Sequence, residues 1–442
     1  MCPRILFFLY PDAALAIPPV GRHKALSDNR RATRAHSPFL VRFTVFCISR
    51  RLKRKGNFAP TKFIHVMIKL IVPAVLLAWA AFIVPLHAQT PSDSAKAKVY
   101  FVSDITPESL VKIYQALGKP AAGRVAVKIS TGESAQSNQL RPELIGPLVK
   151  EVNGTLVECN TAYNGNRSNT ASHRRAIEQR GYARIATVDI MDEEGYMDIP
   201  VADTKYLKFD RVGKHLANYD FLINLAHFKG HAMGGFGGVL KNQSIGIASP
   251  EGKTLIHTAG VYADPRYVFQ QPHGQDAFLE SMAAAAQAVH NYFKGNTLYI
   301  NVMNNLSVDC DCDGHPAAPQ MKDIGILASL DPVALDKACL DLVFNHASTA
   351  GDNSAPLVQR INSRHGAHTV DYAANIGLGT LAYDLIDISK VSSIADIKTD
   401  GVKKYNVYDL SGNKVLTNAD NLDRLAPGIY IINGVKTLVG NK

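Results

Sequence analysis

The sequence predicts an α/β domain over residues 97–390, with a largely parallel sheet flanked by helices, and a small all-β appendage over residues 395–442. Three observations carry this. Short apolar runs rich in β-branched residues alternate with helical patterns of about ten to fifteen residues, as in strands joined by helical crossovers. Helical stretches open on cap residues and prolines. After Ile388 the alternation gives way to brief strands separated by Ser411-Gly412-Asn413, Pro427-Gly428 and Asn433-Gly434 turns.

In chain order, KVYFVSDI (98–105) reads as the first strand. Thr106-Pro107-Glu108 then starts a helix with a cap, a proline where no N–H is needed, and an acid at the positive end of the dipole. VAVKIS (125–130) is a buried strand and PELIGPLVKEV (142–152) a helix. TLVECN (155–160) and ARIATVDI (183–190) are strands separated by the helical ASHRRAIEQRG (171–181). DFLINLAHF (220–228) is an apolar strand and DAFLESMAAAAQAVHNYF (276–293) a long helix. TLYINVM (297–303) and IGILAS (324–329) are further strands, and Asp331-Pro332 opens the last helix, PVALDKACLDLVFNHA. In open parallel sheets ligands sit beyond the carboxyl ends of the strands, so the loops after these strands are where chemistry is expected.

The chain carries a net charge of +10, but residues 1–66 hold thirteen Lys and Arg against two acids, a local +11 that leaves −1 for residues 67–442. The basicity belongs to one segment, so nucleic acid is not an expected partner of the folded part. That segment has no sustained apolar periodicity and reads as a disordered or untranslated extension. Met67 and Lys69 then form a short positive region, Leu70–Val84 an apolar run, and Leu86-His87-Ala88 a small-residue cleavage point before Gln89. Residues 67–89 thus have the layout of a cleaved secretory signal, leaving no stable membrane anchor. The expected location is the periplasm, cell surface or exterior of a Gram-negative bacterium.

HFKGHAMGGFGGVLKN (227–242) follows an apolar strand. In extended backbone, His227, Lys229 and His231 would share one face. Gly234, Gly235, Gly237 and Gly238 would let backbone approach an anion, with Lys241 and Asn242 beside it. The loop lacks the Gly-Lys-Ser/Thr of a Walker motif. VDCDCDGHPAAP (308–319) also follows a strand. Cys-x-Cys side chains diverge in an extended strand, so Cys310 and Cys312 suggest soft-metal ligation with His315 as a third ligand, or a reactive thiol pair. Zinc or iron is the expected metal. KISTGES places Lys128 and Glu133 after one strand, and CNTAYNGNR places Asn160, Tyr163 and Arg167 after another; Lys253 and His257 lie in GKTLIH.

Taken together, VAVKISTGES, LRPELI, CNTAYNGNRSNTASHRRAIEQRGY, HFKGHAMGGFGGVLKN, GKTLIH, CDCDG and DIGILASLDPVALDKACLDLV resemble the domain of unknown function 362 family. Members are often labelled uncharacterised iron–sulfur-centre proteins, and the resemblance implies that these segments share one site. Members so labelled usually carry a cysteine-rich, ferredoxin-like insert after the Gly-Lys…His segment. Here TAGVYADPRYVFQQPHGQDAF (258–278) stands there without a cysteine, so no [4Fe–4S] ferredoxin cluster is expected. The C-terminal YDLSGNKV and LAPGIYIINGVK resemble tails of exported Bacteroidetes proteins, some of which act as sorting signals.

Three functions remain open on the sequence. The first is a metal-dependent enzyme acting on a small anionic substrate, with Cys310, Cys312 and one or more of His315, His227 and His231 holding the metal. In it Lys128, Lys229 or Lys241 bind the anion, while Glu133, His227 or His231 move protons. The second is a non-catalytic module for an anionic ligand, and the third a Cys-x-Cys thiol redox protein.

Overall fold

The structure, a computed structural model, describes residues 96–389, 392–393 and 404–440. The extension at 1–66 and the signal-like segment at 67–89 lie outside these residues, as do positions 394–403 at the start of the appendage.

The strands are β1 (Ala97–Val102), β2 (Val125–Lys128), β3 (Thr155–Glu158), β4 (Val188–Ile190), β5 (Tyr196–Ile199), β6 (Asp210–Gly213), β7 (Phe221–His227), β8 (Lys229–His231), β9 (Gly235–Gly237), β10 (Thr297–Met303), β11 (Gly325–Ser329) and β12 (Tyr383–Asp387). The helices that matter below are α1 (Pro107–Ala116), α2 (Pro142–Glu151), α3 (Thr170–Gln179), α4 (Val239–Ser244), α5 (Pro250–His257), α6 (Gln275–Tyr292) and α7 (Pro332–Phe344). Thr106, Asn169, Ser249 and Asp331 cap α1, α3, α5 and α7 through side-chain oxygens that accept backbone N–H bonds. Among the described residues no helix is long and apolar enough to cross a membrane.

Eight strands form the main sheet in the order β12-β1-β11-β10-β7-β2-β3-β4. All neighbours run parallel except β11, which is antiparallel to both β1 and β10. The reason lies in the connection: no helix separates β10 from β11, and without a crossover the chain can only return antiparallel. The first part of ARIATVDI is also not strand, since Tyr182–Arg184 form a 3-10 turn before β4 begins at Val188.

Both faces are covered, which is why the inner strands read as continuous apolar runs. Ile223, Leu225, Ile300 and Val302 face α1 and α2, where they meet Leu110, Ile113, Ile145 and Leu148. On the other face Ala226, Tyr299 and Met303 meet α4, α6 and α7 through Leu240, Ala283, Ala286 and Leu335. Strand order reverses at β2: β3 and β4 extend to one side, while β7 and β10 lie on the other. Such a reversal leaves a crevice at the carboxyl ends of the strands beside it.

The appendage is built on an antiparallel sheet of β14 (Tyr405–Tyr408), β15 (Lys414–Ala419), β16 (Gly428–Ile432) and β17 (Val435–Val439), with the two-residue β13 (Ser392–Ser393) pairing parallel to β17. It adds no strand to the main sheet. Ile429 and Leu438 nevertheless join the apolar cluster of α1 beside Leu110 and Ile113. A chain ending at Ser389 should therefore keep a cooperative melt but lose about 3–6 kcal/mol, as Leu110 and Ile113 lose cover at roughly 1.5–3 kcal/mol each. Denaturant unfolding of the shortened chain checks this; loss of the cooperative transition would mean that the sheet depends on the appendage.

Candidate functional site

At the ends of β2 and β3, Lys128 and Glu158 meet at 2.9 Å, both almost wholly buried. Lys128 Nζ also donates to Asn242 Oδ1 at 3.2 Å. Glu158 accepts from the Thr131 N–H at 3.0 Å and from Arg167 at 3.2 Å, and Arg167 Nε donates to Glu133 at 3.2 Å. Burial pushes the Glu158 carboxyl upward, but Lys128 and Arg167 outweigh it and hold it far below the usual carboxylate range. Two cations and two carboxylates are thus mutually satisfied. Glu133, a candidate proton carrier on the sequence, is spent on Arg167 and the Asn166 N–H and does not line the cavity described below. Asn160 is likewise outside it, bonded to Thr170 and His173.

The second network joins the histidine-lysine strand to the cysteine loop. His227 Nδ1 lies 2.7 Å from Asp311 Oδ1, and Nε2 lies 2.6 Å from the Asn304 carbonyl oxygen. Lys229 donates to Asp311 Oδ2 and to the His227 carbonyl oxygen, each at 2.8 Å. Burial raises the Asp311 carboxyl, but Lys229 and His227 reverse this and drive it far below its ordinary value. With both ring nitrogens engaged, His227 has no free lone pair for proton transfer or a metal. It positions Asp311 instead.

His231 is different. Its Nδ1 accepts from the Gly234 N–H at 2.9 Å and the Met233 N–H at 3.2 Å. Burial, then Lys241, keeps the ring well below its usual pKa, so the neutral ring carries its proton on Nε2. His257 stacks on Phe278 at 4.6 Å, and burial followed by Lys241 and Lys253 pushes it down to about 3.

Cys310 and Cys312 form a disulfide with Cα atoms 5.2 Å apart, contrary to the expectation that they diverge. The backbone is not extended here: the Asp313 N–H bonds the Cys310 carbonyl at 2.9 Å, and this turn brings both side chains to one side. His315 is exposed, and the histidine beside the sulfurs is His231, all three donor atoms lying within 4.8 Å of one another. They do not fit a resident metal in this arrangement. The sulfurs are bonded to each other, and a metal-bound histidine donates through its second nitrogen, whereas His231 Nδ1 accepts. The remaining described cysteines, Cys159 and Cys339, are buried in separate apolar clusters.

The glycines also depart from the anion-cradle expectation. A Cβ on Gly238 would lie 2.2 Å from Asp336 Oδ1, and Asp336 itself accepts from the Val239 and Leu240 N–H groups at 2.9 and 3.0 Å. The start of α4 is therefore closed by the protein's own carboxylate. Gly235, at φ +81°, packs on Gly366 and Ile361, and neither it nor Gly234 lines the cavity. Gly235→Val would thus strain the packing itself rather than act on a ligand. Gly230 fits against Val308, whereas a Cβ would meet only ordinary contacts at Gly234 and at Gly237, the latter beside the stems of Lys229 and Lys241.

These pieces enclose one cavity of ≈ 200 Å³ at the switch point. Lys128, Tyr163, Arg167, His227, Lys229, His231, Lys241, Asn242, Lys253, His257 and the disulfide line it, with Gly237 and Gly238. Val268 and Phe269, from the segment between α5 and α6, complete the wall, and Phe269 approaches Tyr163 at 6.3 Å. Lys241 is half-buried by area, yet what it faces is this cavity; burial, then Lys229, pushes its ammonium down to about 7. Sequence reasoning missed three anchors, Glu158, Asp311 and Asp336. Glu158 and Asp336 lie in segments read as strand and helix, where the available signal was a lone acid inside an apolar stretch. Asp311 lies in the motif read for its cysteines, and nothing local sets it apart from Asp309 and Asp313.

Fold and site define an α/β protein with a small, cationic, switch-point cavity. Residues 125–341 match the family described as Domain of unknown function (DUF362), and the chain belongs to it. The matched span runs from β2 into α7 and holds every residue of the cavity wall. Comparison with curated proteins gives no match.

Proposed function

We propose that the domain binds a small anionic molecule, a carboxylate in the first instance, in the switch-point cavity. One observation carries the reading: the charge around the cavity is unbalanced, and Lys241 is left over. Lys128, Arg167, Lys229, Lys241 and Lys253 line it, against Glu158 and Asp311, with Glu133 behind Arg167. Among the described residues no hydrogen bond or ion pair reaches Lys241 Nζ, whereas an anion would supply both the missing partner and the missing charge. The volume suits a molecule of a few heavy atoms. Export to the periplasm or beyond remains part of this proposal, on the layout of residues 67–89. Ligation of zinc or iron by reduced Cys310 and Cys312 is not needed for it.

The test is the pH dependence of binding. Lys241 faces Lys229, Asp311, Arg167, Lys128 and the neutral His231 and His257. Its folded pKa is depressed from 10.5 to about 7, so its charge is present below that value and lost as pH rises through it. Calorimetric titration with lactate, whose carboxylate does not titrate here, should show affinity at least about tenfold weaker at pH 8.5 than at pH 6.5. Lys241→Met should be weak and flat across the same range. A wild-type affinity independent of pH would overturn the role given to Lys241.

A further inference from the structure

We infer that Lys241 is an amine nucleophile that forms an imine with the carbonyl of a small oxo acid, an inference that rests on the anion-binding reading above. Four lysines line the cavity, and three have their ammonium groups committed. Lys128 is held by Glu158 and Asn242, Lys229 by Asp311 and the His227 carbonyl, and Lys253 by the Ala248 carbonyl at 2.5 Å. Lys241 alone among them has no hydrogen-bond or ion-pair partner among the described residues. The missing side chain of Gly237 shows how close its neighbour is: a Cβ there would lie 3.5 Å from Lys241 Cδ and 3.6 Å from Lys229 Cε. The two stems thus flank the same point, and the Lys229 charge is fixed by Asp311. An ammonium beside a fixed cation in a protein-walled cavity gives up its proton readily, which is how an amine becomes nucleophilic near neutral pH. The shift of Lys241 to about 7 agrees with that geometry.

The step balances without an external oxidant or reductant. The Nζ lone pair forms the C–N bond, the carbonyl π pair moves to oxygen, and that oxygen takes a proton while nitrogen loses one. The C–O bond of the carbinolamine then breaks, and its oxygen leaves as water after a second protonation. The first proton reaching oxygen is the one nitrogen loses, and the second comes from solvent. The neutral His231, whose Nδ1 accepts from the backbone and whose proton stands on Nε2, donates a hydrogen bond to the developing oxyanion. With Lys241 deprotonated, Lys128, Arg167, Lys229 and Lys253 still outnumber Glu158, Asp311 and Glu133, and this remaining positive charge holds the substrate carboxylate with its carbonyl carbon toward the amine.

The experiment is reductive trapping on the full chain. The protein is incubated with pyruvate or glyoxylate and cyanoborohydride, then read by intact mass and peptide mapping, with lactate binding measured in parallel. The expected result is a single reduced adduct on Lys241, forming faster as pH rises through about 7, opposite in sign to the affinity for lactate. Lys241→Arg has no primary amine and should give no adduct at that position, with its fold checked by circular dichroism. Lactate binding without an adduct on Lys241, or with the adduct on another lysine, overturns the imine inference and leaves the anion reading standing. Failure of lactate and both oxo acids to bind overturns both.

Discussion

Asp311→Ala should cost the fold about 3–5 kcal/mol and abolish binding of small carboxylates. The Asp311 side chain is almost wholly buried and is the counter-charge to Lys229, which it meets at 2.8 Å, while its other oxygen holds His227 at 2.7 Å. Removing one partner of a buried pair leaves the other charge in low dielectric, and that uncompensated charge, rather than the lost attraction, sets the penalty. The consequence reaches the cavity because Asp311 lies between the two cysteines and its carbonyl accepts the Glu133 N–H at 2.8 Å. Releasing Asp311 therefore loosens the cysteine loop and the Lys229 stem together. Asp311→Asn should be milder in stability, since the amide can still accept a hydrogen bond, but should bind a carboxylate differently because Lys229 is no longer neutralised. Denaturant unfolding with calorimetry on both variants checks this. An Asp311→Ala protein as stable as wild type would mean that the network contributes nothing net.

Gly230→Ala should be damaging to a lesser degree and by a different route. The added methyl would lie 2.3 Å from the Val308 carbonyl oxygen and 2.7 Å from Val308 Cα, all backbone, so β8 and the cysteine loop must separate. The Gly230 N–H to Ser307 carbonyl bond at 2.8 Å would be lost with it. Overpacking of this kind costs about 1–3 kcal/mol, and displacing His231 from the disulfide should weaken lactate binding more than tenfold. Gly237→Ala is the control. Its methyl would make ordinary contacts at 3.5 and 3.6 Å with the lysine stems, so stability should stay within about 1 kcal/mol of wild type. Equal melting points for the two variants would show that Gly230 is not the fixed contact.

The local elements were legible because their causes are local. Caps at Thr106 and Asp331 and the apolar runs at β2, β7 and β10 follow from patterns within a few residues, as do the helix at Pro142 and the long helix before β10. From these the α/β class follows, and so does the expectation that chemistry gathers after the strands. The family resemblance pointed to the same motifs.

What those motifs do was decided only in three dimensions. The glycines of HFKGHAMGGFGGVLKN looked like a place for a ligand's backbone contacts, yet Gly230, Gly235 and Gly238 are explained by Val308, Gly366 and Asp336, partners distant in sequence. The same holds for the charges. Lys128, Lys229 and Lys241 are the same residue type in neighbouring motifs, and nothing within a few positions of each says which is neutralised. Glu158 and Asp311, brought in by parallel strands and a turn, take the first two and leave the third. Composition and spacing determined that this chain carries an α/β sheet with basic groups at the ends of its strands. Which of those groups stays unpaired depends on contacts between segments far apart in the chain, and a buried charge takes its character from such neighbours.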